Sequence, residues 1–153
     1  MAGADVEIRE ALPADLPVLL DLYRELQPAD PEINADLART RFAAMLAHPG
    51  LSVFLAISDG VAVATITLIV IPNLTRGGDP YALIENVVTS AAHRKRGHAG
   101  ALIRHGFSRA WEAGCYKVML LSGSKDPATL DFYRNCGFVQ DKTGFQIRRP
   151  TAL

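Results

Sequence analysis

Hydrophobic and polar positions repeat with two different periods along the chain, and each change of period marks a new element. The segment VEIREA predicts a first strand. In the following PADLPVLLDLYRELQ, leucines and a tyrosine recur near the 3.6-residue period of a helix. A second helix is predicted over NADLARTRFAAMLAH, with Asn34 as its N-cap and Pro49-Gly50 as its stop. The first 50 residues therefore predict one strand followed by two helices.

The central part of the chain is rich in β-branched residues. LSVFLAI and VAVATITLIVI, joined by the turn SDG, predict a β-hairpin. The segment NLTRGGDP, residues 73–80, contains several helix and strand breakers and predicts a loop. YALIENVVT then predicts another strand, so this region is expected to form the middle of a sheet.

The helical period returns at Gly97 and continues until Gly114. Apolar and small residues form one stripe on this helix: Ala99, Leu102, Ile103, Gly106, Phe107, Ala110 and Trp111. After it, YKVMLL predicts a strand, PATLDFYRNC a short helix and GFVQDKTGFQIRR a closing hairpin.

The order of these elements predicts the fold class. We expect an α/β fold with a mixed, mostly antiparallel sheet flanked by helices, formed by one domain over residues 1–153, because the chain shows no repeat and no linker. YALIENVVT, the long helix and YKVMLL make a central βαβ crossover, so their two strands should be parallel and the connection right-handed.

Composition narrows the classes of function. Of the 153 residues, 49% are hydrophobic, which suits a substantial core. Lys and Arg together number 16, as do Asp and Glu, and this zero net charge argues against bulk binding to nucleic acid or membrane. The longest apolar run, ITLIVI, is strand-sized, and the N-terminus has no signal pattern. With two cysteines and no disulfide framework, the cytoplasm is the predicted compartment.

In a neutral chain, the basic segment HRKRGHAG at residues 93–100 is informative. The cations Arg94, Lys95 and Arg96 precede a helix start made of small residues and one histidine: Gly97, His98, Ala99 and Gly100. The first N–H groups of a helix lack internal partners and carry partial positive charge, and small residues let an anion approach them. The segment predicts an anion-binding cradle of the kind that holds a pyrophosphate, to which His98 lends its backbone, although its spacing alone does not identify the anion. The alternative is a solvated charged loop before an ordinary helix.

The spacing Arg94-x-x-Gly97-x-Ala99 resembles the R/Q-x-x-G-x-G/A signature of the GNAT superfamily of N-acetyltransferases, which binds the pyrophosphate of acetyl-CoA. ATLDFYRNCGF resembles the helix of that family that ends in Y-x-x-x-G-F, and the element order also matches. The stretch from IENVVTSAAHRKRG through GCYKVMLL is similar to glucosamine-6-phosphate N-acetyltransferases. Asp126 and Thr129 stand where many members have Asn and Ala, so a sugar substrate does not follow.

The resemblance implies acetyl-CoA as cosubstrate and a set of residues that bind it. Backbone groups of one strand would pair with the pantetheine arm, the basic segment would bind the pyrophosphate, and two residues near the tyrosine helix would complete the site. These residues are Val87, Val88, Thr89, Arg94, Lys95, Arg96, Gly97, His98, Ala99, Gly100, Asp126 and Arg134.

Two residues are candidates for the chemistry. By resemblance, Tyr133 aligns with the family's general acid. Because a phenol pKa near ~10 exceeds a thiol pKa near ~8.5, we expect its hydroxyl to donate a hydrogen bond to the departing thiolate. The alternative is a core aromatic beside Phe132. Glu85 is a carboxylate in an apolar strand and must find water or a partner. It could take the amine proton directly or through water, or lie on a solvated face or in a structural salt bridge.

The predicted function is transfer of an acetyl group from acetyl-CoA to a primary amine of a small molecule or peptide, by direct attack in a ternary complex. The alternative is a non-catalytic acyl-CoA-binding sensor or assembly module. An aminosugar, amino acid, polyamine, peptide or protein acceptor stays open, as does the oligomeric state, although homodimers are common in the family. The histidines have no zinc-like spacing, so no metal is expected.

Overall fold

The computed structural model describes residues 6–150, and the chain divides into two compact units, the first ending at Leu120 and the second beginning at Leu121. The described part of the first unit contains eight α-helices and strands: β1 (Glu7–Glu10), α1 (Leu16–Leu26), α2 (Ala35–Ala47), β2 (Leu51–Ser58), β3 (Val61–Ile71), β4 (Tyr81–Thr89), α3 (His98–Glu112) and β5 (Val118–Met119). The described part of the second unit contains α4 (Pro127–Asn135). The prediction of a single domain stays a prediction.

The strands form one mixed sheet in the order β1-β2-β3-β4-β5. The first four are antiparallel neighbours, whereas β4 and β5 are parallel and pair through Ala82 with Val118 and Leu83 with Met119. The predicted fold class and the parallel pairing of the crossover strands are therefore confirmed. The β2–β3 hairpin turns at Asp59 and Gly60, whose positive φ angles of 51° and 77° suit a tight hairpin turn.

Helices cover the two faces of this sheet. Leu19 of α1 and Phe42 of α2 pack with Val53 and Leu55 of β2 on one face. On the other face, α3 lies against β2, β3 and β4. A Cβ atom at Gly106 of α3 would lie 3.1 Å from the Ile66 side chain and 3.3 Å from that of Ile84. The glycine thus lets this helix approach the sheet closely.

The predicted ends of several elements agree with the structure. Asn34 caps α2, since its side-chain oxygen accepts from the backbone N–H of Asp36 at 2.9 Å and of Leu37 at 3.3 Å. Gly114, with φ +81°, follows the end of α3. No described helix is both long enough and apolar enough to cross a membrane.

Two sequence predictions were wrong, and a third gave an element that is too long. The hairpin predicted over residues 137–149 does not form, and Val139, Phe145 and Ile147 are exposed. Alternating apolar residues produce a stable hairpin only where another surface buries the apolar side chains, because an isolated pair of strands has marginal stability in water. Trp111 was assigned to the apolar stripe but is 52% exposed, because the buried stripe of α3 is narrower than the sequence suggests. The strand predicted over YKVMLL forms only at Val118–Met119.

The contact between Gly50 and β3 yields a prediction about stability. A Cβ atom at Gly50 would lie 2.5 Å from the carbonyl oxygen of Val70, and backbone cannot move as a side-chain end can. We expect Gly50→Ala to lower the free energy of unfolding by about 1–3 kcal/mol, as overpacking does. Urea unfolding followed by circular dichroism measures this. Gly123→Ala is the matched control, because no heavy atom lies within 4 Å of its added Cβ; equal effects of the two substitutions would contradict the prediction.

Candidate active site

A β-bulge in β4 shapes the centre of the first unit. Thr67 of β3 pairs with Glu85, but Thr65 pairs with Val88, so two residues of β4, Asn86 and Val87, stand opposite Ile66 alone. Asn86 has φ +52°, a left-handed conformation that asparagine tolerates better than most residues. A bulge of this kind bends the strand and changes the direction of the side chains that follow.

Beyond Leu83, β4 has no strand partner on the side of β5 within the described part of the chain. Val87, Val88 and Thr89, the residues expected to bind the pantetheine arm, lie on this segment. Val88 is buried, and Val87 and Thr89 are half-buried. The backbone edge of a strand without a neighbour is a surface on which an extended amide-containing ligand can add hydrogen bonds.

The strand leads directly into the start of α3. A short 3-10 turn at Ala91–His93 is followed by Lys95 with φ +61° and by Gly97, the N-cap, with φ +83°. The first intrahelical hydrogen bond joins Ala101 N to Gly97 O at 3.0 Å, so the N–H groups of residues 98–100 precede it. No heavy atom lies within 4 Å of a Cβ built on Gly97. The helix start is therefore open and rich in N–H donors.

Four cationic side chains surround this start. Arg94, Lys95 and Arg96 are exposed, as the sequence predicts, and the Nε of Arg94 donates to the Thr89 carbonyl at 3.3 Å. The fourth, Arg104, was missed. Its guanidinium folds back along α3 and lies 3.3 Å from the position of a Cβ at Gly100. The i,i+4 spacing from Gly100 could have indicated it, since residues four apart share a helix face.

The side chain of His98, and not only its backbone, lies at the start of α3. Its side chain is only 4% exposed, and neither ring nitrogen has a hydrogen-bond partner among residues 6–150. Burial lowers the pKa of His98, and the neighbouring His93 and Arg96 lower it further. The imidazole is thus held in its neutral form at the helix start.

Glu85 lies on the opposite face of the sheet from α3. Ile84 points toward α3, so its neighbour Glu85 points toward the face that α1 covers, where its side chain is exposed. Directly opposite it on β3 is Thr67. The exposed carboxylate therefore has water within reach, which fits a solvated side chain as well as a base.

Tyr23 and Thr67, which the sequence analysis did not single out, lie on the same face as Glu85. Burial raises the pKa of Tyr23, and the nearby hydroxyls of Thr67 and Thr65 partly offset this. The hydroxyls of Tyr23 and Thr67 are buried, yet neither completes a hydrogen bond of ordinary geometry within residues 6–150. Only the strand register brings Thr67 opposite Glu85, so no sequence motif could have indicated that Tyr23, Thr67 and Glu85 share a face.

In the second unit, α4 carries the remaining predicted residues. Asp126 is the N-cap of α4 and accepts from Ala128 N at 2.9 Å. Arg134 donates to Asp131 and to Gln140, both at 2.7 Å. Asp126 and Arg134 therefore have structural contacts within their own unit.

Tyr133 lies near the end of α4 between two aromatic rings. Its ring centroid is 5.1 Å from that of Phe132 and 6.1 Å from that of Phe138. Burial raises the pKa of Tyr133, and Cys136 adds to this effect. Its hydroxyl consequently stays protonated at neutral pH and can act as a hydrogen-bond donor.

A cavity in the first unit is lined by none of the residues that the sequence predicts for the site. Its volume is about 670 Å³, and it is bounded by Ser52, Leu68, Pro80 and the C-terminal part of α3. Leu68 has the same orientation as Ile66, so this cavity lies on the α3 face and not on the face of Glu85. Among the described residues, no group of three or more His, Cys, Asp or Glu side chains could hold a metal ion.

Comparison with known proteins agrees with this geometry. The model of the Acetyltransferase (GNAT) family matches residues 19–138. A glucosamine 6-phosphate N-acetyltransferase of Trypanosoma brucei brucei is 35% identical over 136 residues, which cover 88% of this chain and 89% of the relative. The chain belongs to the GNAT acetyltransferase family.

The chain is also similar to solved structures of other proteins. A structure named "Putative acetyltransferase from Agrobacterium tumefaciens str. C58" is 56% identical, with a TM-score of 0.90 and coverage of 94% of this chain and 99% of that one. A transcriptional regulator from Bacillus halodurans C-125 is 26% identical, with a TM-score of 0.87 and the same two coverages.

The buried His98 predicts how stability depends on pH. The pKa of His98 is lowered in the folded state. Below about pH 6.5, His98 therefore binds a proton in the unfolded chain more readily than in the folded chain, and this favours unfolding. We expect stability to fall as the pH drops from about 7 to 5, and this fall to be smaller in His98→Leu. Chemical denaturation at several pH values measures the slope. His105, whose pKa burial also lowers, accounts for part of the remaining slope; identical slopes in parent and variant would show that His98 is not its source.

Proposed function

We propose that this GNAT acetyltransferase is an N-acetyltransferase that uses acetyl-CoA and transfers the acetyl group to a primary amine by direct attack in a ternary complex. One observation carries the proposal. The edge of β4 that lacks a strand partner is followed, after the 3-10 turn at Ala91–His93, by a helix start with open N–H groups and four cations. This surface matches a ligand with an amide-containing arm and a pyrophosphate.

The proposed cofactor contacts follow that surface. Val87, Val88 and Thr89 would pair with the pantetheine arm. The N–H groups of residues 98–100, with Arg94, Lys95, Arg96 and the added Arg104, would bind the pyrophosphate. Asp126 and Arg134 are assigned here from the family resemblance alone, and each would have to serve the cofactor in addition to its own contacts in α4.

The proposed chemistry uses two side chains. An amine must lose a proton to attack the acetyl carbon, and the exposed carboxylate of Glu85 can accept that proton directly or through water. The C–S bond then breaks, and the thiolate needs a donor. A phenol is protonated at neutral pH, and burial raises the pKa of Tyr133 further, so its hydroxyl can donate a hydrogen bond to the developing thiolate.

The first acceptor to test is glucosamine 6-phosphate. Two relatives of about one third identity, from Trypanosoma brucei brucei and Oryza sativa subsp. japonica, carry that activity in their names. Asp126 and Thr129 stand where many family members have Asn and Ala. For this reason the amines to be tested as acceptors also include other aminosugars, amino acids, polyamines and peptides.

A second candidate is an acyl-CoA-binding sensor without turnover, which the likeness to a transcriptional regulator favours. Release of free thiol from acetyl-CoA, measured with the panel of amines and without any amine, separates the two. Amine-dependent thiol release with a stoichiometric N-acetyl product supports the enzyme. Tight binding of acetyl-CoA with no release for any amine supports the sensor.

A homodimer also remains a proposal. Phe145 and Ile147 are 91% and 97% exposed and alternate with polar residues, a pattern that a second strand could cover. Sedimentation velocity across a range of protein concentrations decides whether the chain self-associates.

Gly97 yields a prediction for cofactor affinity. Its φ of +83° and its open surroundings mean that Gly97→Val both strains the backbone and places a side chain where the anion would lie. We expect calorimetry to show acetyl-CoA binding weakened at least about tenfold, or ~1.4 kcal/mol. Gly114→Val is the matched control, with φ +81° and equally open surroundings beyond the other end of α3. Equal affinities of the two variants would refute this assignment of the cradle.

Tyr133 yields a prediction for the rate. Tyr133→Phe keeps the ring that packs on Phe132 and Phe138 and removes only the hydroxyl. We expect the maximal rate to fall by about 10² to 10⁴, with a much smaller change in acetyl-CoA affinity, because the thioester sulfur is a poor hydrogen-bond acceptor before the bond breaks. Steady-state turnover and thermal unfolding are measured on the same preparation. Tyr116→Phe is the control phenol. A rate within threefold of the parent would remove Tyr133 from the mechanism.

A further inference from the structure

One carboxylate oxygen of α1 contacts the segment that leads into α3. Glu25 Oε2 accepts a hydrogen bond from the backbone N–H of Ala91 at 2.7 Å. The same oxygen lies 4.0 Å from Nη2 of Arg94. A residue 66 positions away in sequence therefore holds the 3-10 turn at Ala91–His93 and also faces a cation of the proposed cradle.

These two contacts have opposite consequences for an anion at the cradle. The hydrogen bond to Ala91 fixes the turn from which Arg94 and the helix start project, and so favours binding. The ion pair occupies Arg94, and a pyrophosphate must displace it. The distance of 4.0 Å and the half-exposed side chains, at 58% and 38%, make this pair weak enough to exchange.

Arg94 is held by a second weak contact. Its Nε donates to the Thr89 carbonyl at 3.3 Å, on the strand segment proposed to bind the pantetheine arm. The guanidinium thus lies folded toward β4 and α1, and it needs only a side-chain rotation to reach a ligand. A charge-assisted bond to a pyrophosphate oxygen would be stronger than either contact it replaces.

We propose that Glu25 is a positioning residue for the cofactor: its carboxylate organises the Ala91–His93 turn and holds Arg94 until the pyrophosphate takes its place. This inference rests on the proposed acetyl-CoA function of the cradle. Glu25 touches neither the amine nor the thioester in this proposal, and it acts only through Ala91 and Arg94.

Two substitutions separate the two contacts. Glu25→Gln keeps an oxygen that accepts from Ala91 N and removes the charge that competes for Arg94. We expect acetyl-CoA to bind about two- to fivefold more tightly to this variant at low ionic strength, which matches an exposed ion pair of up to ~1 kcal/mol. Glu25→Ala removes both contacts and should bind at least about threefold more weakly than Glu25→Gln.

The experiment is calorimetric titration of acetyl-CoA into the full chain, at low salt and at about 0.5 M salt. The gain in Glu25→Gln should shrink at high salt, because screening weakens exposed charge pairs. The gain in acetyl-CoA affinity that Glu25→Gln produces should also vanish when Arg94→Ala is present in the same chain. No such gain is expected for pantetheine, which has no pyrophosphate. Glu112→Gln is the matched control, because it removes an exposed carboxylate that pairs with Arg109 at 3.1 Å near the other end of α3.

The outcomes distinguish this inference from the function on which it rests. If Arg94→Ala weakens acetyl-CoA binding but Glu25→Gln binds like the parent or like Glu112→Gln, the role of Glu25 is wrong and the cradle stands. A gain that persists in the Arg94→Ala background also overturns it. If Arg94→Ala leaves affinity unchanged, both the cradle and the role of Glu25 fail. The test of the role of Glu25 does not depend on the Glu25→Ala variant, because Glu25→Gln keeps the hydrogen bond to Ala91 N that holds the turn.

Discussion

The extra residue in β4 is the constraint on which the rest of the first unit depends. Residues 84 and 88 would face the same side of a regular strand, but the bulge at Asn86 shifts the alternation by one. Ile84 packs against α3, whereas Val88 pairs with Thr65 and is buried on the face of α1. The bulge therefore sets which side chains lie around Glu85, and it lies on the part of β4 that continues beyond Leu83, where pairing with β5 ends.

The basic segment has an electrostatic cost in the absence of an anion. The start of a helix carries partial positive charge, and cations are normally favoured at the opposite end. Arg94, Lys95 and Arg96 precede α3 at its positive end, where they raise the local potential further. The Thr89 carbonyl and Glu25 offset part of this cost by contacting Arg94. A bound anion would offset more of it, so a chain of zero net charge can still attract a strongly negative ligand to one place.

The sequence predicted the features that depend on interactions between residues close together in the chain. The period of the apolar residues, the cap at Asn34 and the small residues at the start of α3 were enough for the helices and the long central strands. Contacts between distant segments were not predictable. Nothing in the sequence near Thr67 shows that the register places it opposite Glu85, and nothing near Tyr23 shows that its hydroxyl lies close to those of Thr67 and Thr65. No motif links Glu25 to Ala91. The hairpin predicted over residues 137–149 was wrong for a related reason, because alternation shows which face would be buried but not whether any surface buries it.

The described contacts explain part of the motif around Tyr133 on structural grounds, and they leave its hydroxyl for the proposed chemistry. The Tyr133 carbonyl accepts from Cys136 N at 3.1 Å and from Phe138 N at 3.2 Å, which ends α4 in a tight turn. Gly137 has φ +109°, so glycine is needed there whatever the protein does. Any residue could supply the carbonyl, and a phenylalanine could supply the ring that contacts Phe132 and Phe138. Neither requirement selects the phenolic hydroxyl, and the proposed hydrogen bond to the departing thiolate would account for a tyrosine at this position.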